Sequence, residues 1–197
     1  MAGGPDTAAD GGLDAAAAGN GLDAAAGRGL GATTAGGGLD TADLAAATAQ
    51  LGRSPRGAAG VGWRCPCGRP AVITTAPVLP DGSPFPTLYY LTCPRAVKLC
   101  SAMEASGLMA AMNTRLAAES ALAAAYQRAH AAYLADRAAL AAKLGLDASG
   151  LGAVSAGGMP TRVKCLHALA AHALAAGPGA NPLGDEVVAG LGAFWRS

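Results

Sequence analysis

Only 34 of the 197 residues are Leu, Ile, Val or Phe, and this scarcity of bulky aliphatic side chains limits the possible folds more than any other feature. The hydrophobic share is 52%, but much of it is alanine. A chain so poor in large apolar groups borders on the composition of disordered proteins. Its core must therefore be small, helical and packed through alanine, or be helped by something besides burial. A bound metal is one such helper, because binding energy at a site present only in the folded chain is folding energy.

The scarcity is worst at the start. Gly12-Leu13-Asp14-Ala15-Ala16-Ala17 recurs as Gly21-Leu22-Asp23-Ala24-Ala25-Ala26, and Gly-Gly-Leu-Asp returns at 37–40. Glycine at this density spoils the helix that alanine favours, so residues 1–39 read as a disordered low-complexity tail. The tail and its junction are acidic: Asp6, Asp10, Asp14, Asp23, Asp40 and Asp43 stand against Arg28 alone. The remainder is basic, and no acid occurs between Leu44 and Pro80, where Arg53, Arg56, Arg64 and Arg69 lie. A solvated face, an anionic partner or the chain's own acidic tail would each suit that run. The first residues lack the basic and apolar regions of a secretory signal, and no run of roughly 18 strongly apolar residues would span a membrane. An odd number of cysteines, five, without regular spacing points to reduced thiols in a cytoplasm.

One ordered domain is expected over 40–197. Asp40 or Thr41 should cap a short helix ending near Gly52. Val61-Gly62-Trp63-Arg64-Cys65, Ala71-Val72-Ile73-Thr74-Thr75 and Thr87-Leu88-Tyr89-Tyr90-Leu91-Thr92 read as strands, separated by Pro- and Gly-rich turns. Pro94 suits a first helical position, where its missing N–H costs nothing, and Gly107 should stop that helix. A second helix follows from Leu108. The longest spans about Ser120 to Leu144 on a stripe of Leu122, Tyr126, Ala129, Tyr133, Leu140 and Leu144, with Gln127, Arg128 and Arg137 on its polar side. Residues 145–158 read as a loop. Pro160 should open a further helix closed by Gly177-Pro178-Gly179, and Gly184 or Asp185 should cap a last one. The predicted fold class is α+β: a small antiparallel sheet of about three strands against a mostly helical C-terminal half.

Cysteine and histidine fall in the stretches that are not alanine and glycine. Thiolate and imidazole are the ligands zinc selects, and thiolate those of iron–sulfur clusters, with about four needed per site. Cys65 sits on a turn after a strand, Cys93 ends another strand, and Cys165 and His172 lie two helical turns apart on one side of their predicted helix. Cys65, Cys93, Cys165 and His172 are thus the first-choice ligands, with Cys67 and His167 in reserve. Cys100, on the stripe with Leu99 and Met103, reads as a small hydrophobe. His130 reads as a surface residue.

A second reading uses Gly157-Gly158-Met159-Pro160-Thr161-Arg162-Val163-Lys164. Two glycines before a proline-started helix, with Arg162 and Lys164, would cradle a small anionic or phosphorylated ligand on free N–H groups. Cys165 would then be a nucleophile and His167 or His172 its base. A third reading is an interaction module, with Trp63 and Trp195 as core residues or partner anchors. Nucleic-acid binding is disfavoured: the basic run lacks interleaved aromatics beyond Trp63, and no groove-reading motif occurs.

The blocks Arg64-Cys65-Pro66, Pro84-Phe85-Pro86-Thr87-Leu88-Tyr89-Tyr90-Leu91-Thr92-Cys93-Pro94, Gly157-Gly158 through Lys164-Cys165-Leu166-His167, His172 and Asn181-Pro182-Leu183-Gly184-Asp185 occur in order. Together they resemble the bacterial family called domain of unknown function 501, over roughly residues 44–190. The resemblance implies a cytoplasmic protein, often encoded near a septum-formation protein of the DivIC type, enolase and an exopolyphosphatase-like enzyme, and hence a cell-division partner. It supplies no catalytic residues. The family pattern has Cys-Pro-x-Gly at the first block, so Cys67 is an individual feature of this chain.

Overall fold

A computed structural model describes Met1 and residues 39–196. The tail expected over 1–39 lies almost wholly outside the described residues. Helix α1 spans Thr41–Leu51, with Asp40 as N-cap accepting from the Asp43 N–H at 2.7 Å and Gly52 as C-cap. Three strands follow, β1 (Ala58–Arg64), β2 (Pro70–Thr75) and β3 (Tyr89–Leu91), in the antiparallel order β1-β2-β3. Val61 pairs with Ile73, and Ile73 with Tyr90. The central strand holds the chain's only isoleucine and is buried at every position, which suits a β-branched run covered on both faces.

The rest is helical: α2 (Pro94–Ala105), α3 (Leu108–Ala118), α4 (Ser120–Leu144), a 3-10 turn at Ser149–Leu151, α5 (Leu166–Ala176) and α6 (Pro182–Leu191). The three-stranded antiparallel sheet and the mostly helical C-terminal half are those the sequence predicts. Helix α5 is the hub, packing on β1, β3, α2 and α6. Its sequence Leu-His-Ala-Leu-Ala-Ala-His-Ala is small enough to be covered on nearly every side, and Leu166, Leu169, Ala170, Ala171 and His172 are fully buried. Alanine thus shapes the core by letting elements approach closely. Gly184 carries this furthest, since a Cβ there would stand 2.5 Å from the Leu169 carbonyl oxygen.

Several local expectations are corrected. Pro160 does not open α5; the Met159–Pro160 bond is cis and lies in a tight turn. Gly157 and Gly158 adopt φ of 74° and 93°, and the turn closes on itself through Lys164 N–H to Gly157 at 2.7 Å and Arg162 N–H to Gly158 at 3.1 Å. Helix α5 starts six residues later than expected, with Cys165 as its extended N-cap. Asn181, not Gly184 or Asp185, caps α6, accepting from the Gly184 N–H at 3.0 Å. Arg137 is buried rather than on a polar face, donating to the carbonyls of Gly152 and Val154 and so bracing the loop after α4. His130 is buried too, its Nδ1 3.0 Å from Ser155 Oγ. Both cases follow from a loop whose polar groups need partners once it lies on the helix.

Candidate metal centre

The chain of cause leading to the site begins with an acid at the wrong end of its own helix. Val97, Ser101 and Glu104 share one face of α2 at helical spacing, and Glu104 lies in its last turn, where a negative charge is unfavourable. The α2–α5 packing turns that position to use. Glu104 Oε1 accepts the N–H of Leu166, the first residue of α5, at 2.7 Å. One helix thereby supplies the N-cap that Cys165, with no side-chain cap bond of its own, does not provide for the other.

His167, one residue on, brings its ring into the same seam. Its Nε2 stands 3.1 Å from the Val97 carbonyl oxygen and 3.3 Å from Ser101 Oγ. Its Nδ1 stands 3.1 Å from Glu104 Oε1 and 3.8 Å from Cys165 Sγ. The His167 and Glu104 side chains are each 25% exposed, so the seam is open to small solutes. Burial pushes the Cys165 thiol above its ordinary value, and the Glu104 charge adds to that. Beneath it, Cys100 is fully buried and its thiol is pushed up to about 12, first by burial and then by Glu104 and Cys165.

The hydrogen bonds impose a choice on the imidazole. A neutral ring has one N–H. With that hydrogen on Nε2, directed to the Val97 carbonyl, the lone pair of Nδ1 faces a carboxylate oxygen and a sulfur. Three ligand atoms then meet around one point, where the hydrogen of the Cys165 thiol, or a cation in its place, lies between them. The ligand atoms of Glu104, Cys165 and His167 all lie within 4.8 Å of one another. A tetrahedron drawn with zinc bond lengths of about 2.0–2.3 Å has edges of roughly 3.4–3.6 Å. The 3.1 and 3.8 Å separations at Nδ1 bracket that size.

The first-choice ligand set does not assemble. Among the described residues the group able to hold a metal contains Cys165 from that set, without Cys65, Cys93 or His172. Cys65 is joined to Cys67 as a disulfide, which takes up the sulfur of the reserve ligand as well. Cys93 is the N-cap of α2, a half-buried free thiol. His172 is fully buried in the core, stacked on Tyr89 and edge-on to Tyr133 at ring separations of 5.7 and 5.2 Å. Its Nδ1 accepts from Asn181 Nδ2 at 3.2 Å, and burial lowers its pKa to about 4. The expected alignment of Cys165 with His172 fails because Cys165, at φ −153°, is extended and outside the helix.

The cradle expected at Gly157, Gly158, Arg162 and Lys164 has no helix opening behind it, and the backbone N–H groups of residues 162–164 are used within the fold. Besides the two bonds that close the turn, the Val163 N–H donates to Asn113 Oδ1 at 2.8 Å. The anion at the α5 N-terminus is the protein's own Glu104. Glu104 is the residue missed from sequence. Its signal was faint but present: it is the only acid between Asp81 and Glu119, on a helix that otherwise carries Arg95 and Lys98.

Among the described residues no helix is long and apolar enough to cross a membrane. The family described as "Protein of unknown function (DUF501)" matches residues 61–189, a span that holds the whole Glu104–Cys165–His167 group. No curated protein and no solved structure matches the chain.

Proposed function

The chain belongs to the DUF501 family of proteins of unknown function, and we propose that it is a metal-binding protein holding one divalent cation, zinc first, through Glu104 Oε1, Cys165 Sγ and His167 Nδ1. One observation carries the reading: the carboxylate of α2 and the thiol and imidazole at the start of α5, some sixty residues on, approach within 4.8 Å of one another. Zinc takes just such mixed sulfur, nitrogen and oxygen sets, and a cation would hold Cys165 as thiolate. An iron–sulfur cluster wants thiolates at most corners, and this group has one. Three protein ligands in a partly exposed seam leave a fourth position for water or another small ligand, as in zinc sites that do chemistry. Ligation needs Cys165 reduced, and its thiol is free, whereas the Cys65–Cys67 disulfide departs from the reduced thiols expected of the sequence.

The rival reading makes Cys165 a nucleophile with His167 as base. In such a relay the thiol and the orienting carboxylate occupy opposite ring nitrogens. Here both stand at Nδ1, while Nε2 is taken by a backbone carbonyl. Convergence on one nitrogen supports ligation over proton relay.

The full chain should retain about one zinc per molecule after dialysis, by elemental analysis. With cobalt in place of zinc it should show a sulfur-to-cobalt charge-transfer band in the near ultraviolet. Cys165→Ser should abolish the band, and His167→Ala and Glu104→Ala should weaken retention. Cys93→Ser should change neither. A folded chain that holds no metal, or metal lost in Cys93→Ser but kept in Cys165→Ser, would overturn the assignment.

A further inference from the structure

A second candidate site lies beside the sheet, where α1 ends. The chain leaves α1 at Gly52 and is pinned to the end of β2 by the Ala76 N–H bonding to the Gly57 carbonyl at 2.7 Å. Between this loop and the segment entering β3 is a cleft of about 540 Å³, lined in part by Arg53, Pro55, Arg56, Phe85, Thr87 and Tyr90. That volume falls in the range of roughly 300–1,000 Å³ that small-molecule sites occupy.

No carboxylate lines the cleft. Neither Arg53 nor Arg56 forms an ion pair among the described residues, although Asp81 is near enough to feel Arg56. Arg53 is nonetheless held, since its Nη2 donates to Tyr90 Oη at 3.0 Å. One donor of the guanidinium fork is spent on position and the rest are left to the cleft. Two arginines, a proline, two aromatic rings and a threonine lining one cleft match a phosphoryl group attached to a less polar body. The arginine run of the sequence reads otherwise as a solvated face. A pinned loop and a bounded cleft turn part of it into a pocket.

We propose that this cleft binds a small phosphorylated compound, with Arg53 and Arg56 as the phosphoryl ligands and the Phe85 and Tyr90 rings against the remainder. The proposal is independent of the metal centre, which lies on other elements.

Calorimetric titration of the full chain with inorganic pyrophosphate and with a nucleoside triphosphate tests it. Saturable binding of at least one probe is expected, weakened at least about tenfold in R53Q/R56Q, in keeping with the loss of charge-assisted hydrogen bonds. Binding should persist in R162Q/K164Q, which removes the charges of the other glycine-rich turn. It should also persist in C165S, which separates the cleft from a phosphate drawn to a bound cation. No saturable heat with either probe would overturn the proposal. So would heat unchanged in R53Q/R56Q while its melting temperature matches the parent, or heat lost in C165S.

Discussion

Helix α5 carries two histidines five residues apart, and they have opposite fates. His167 stands in a quarter-open seam, with Glu104 and Cys165 at Nδ1 and the Val97 carbonyl and Ser101 hydroxyl at Nε2. His172 is sealed among Tyr89, Tyr133 and Asn181 and stays neutral. One is positioned by a carboxylate, the other by an amide and two phenol rings. The residue type is the same; the difference lies in what the neighbouring elements present. The buried neutral His172 acts as a flat aromatic filler, its Nδ1 met by Asn181 and its Nε2 buried without a partner among the described residues. A quarter-exposed imidazole beside a thiol and a carboxylate has the surroundings of a ligand.

The largest expected effect separates the two directly. His172→Ala should cost about 3 kcal/mol in guanidinium unfolding of the metal-free chain, because it opens a cavity between two tyrosines, yet leave zinc stoichiometry unchanged. His167→Ala should do the reverse, weakening zinc retention at about 1 kcal/mol or less of metal-free stability. Exchanged outcomes would break the comparison.

Acid should discriminate next. Burial lowers the His172 pKa from 6.5 to about 4, so the folded chain resists a proton that the unfolded chain accepts. The contribution is therefore whole above the unfolded value of 6.5 and drains as pH falls toward the folded value of about 4. The total is of order 3 kcal/mol. Unfolding free energies of the parent and of His172→Gln, followed over that range in chelator, should show the slope shrinking in the variant. An unchanged slope would place the acid sensitivity elsewhere.

Smaller effects sharpen the contrast between the two supporting groups. Asn181→Ala removes both the cap of α6 and the bond to His172 and should cost about 1.5 kcal/mol by chemical unfolding, with metal retained. Glu104→Gln should cost less than about 1 kcal/mol in the metal-free chain, since an amide oxygen still accepts the Leu166 N–H. It should nonetheless loosen zinc measurably in a competition with a coloured chelator. Equal zinc affinity in that variant would remove Glu104 from the ligand set.

Much of the architecture was legible because short-range signals act alone. Asp40 and Gly52 bound α1, Pro94 and Gly107 mark the run of α2 and its stop, and the β-branched cluster Val72-Ile73-Thr74-Thr75 falls in β2. The site was legible only in half. Cys165 and His167 stand out as soft donors in a chain otherwise poor in them. Glu104 does not, because its role depends on α2 lying against the start of α5, which no spacing in sequence encodes. The start of α5 was misplaced for a related reason. A proline after two glycines signals a helix opening and a closed turn equally well, and the choice rests on Asn113, fifty residues away, taking the Val163 N–H. The first-choice ligands failed likewise: an i, i+7 argument assumes a helix through Cys165, and the helix begins one residue later.

The oxygen that would face the cation also holds the first amide of α5. Occupancy at the seam is thereby wired to the helix on which the sheet, α2 and α6 all rest. The Leu166 amide becomes a native sensor: its proton resonance and its exchange with deuterium should register metal arriving or leaving without any label added to the chain.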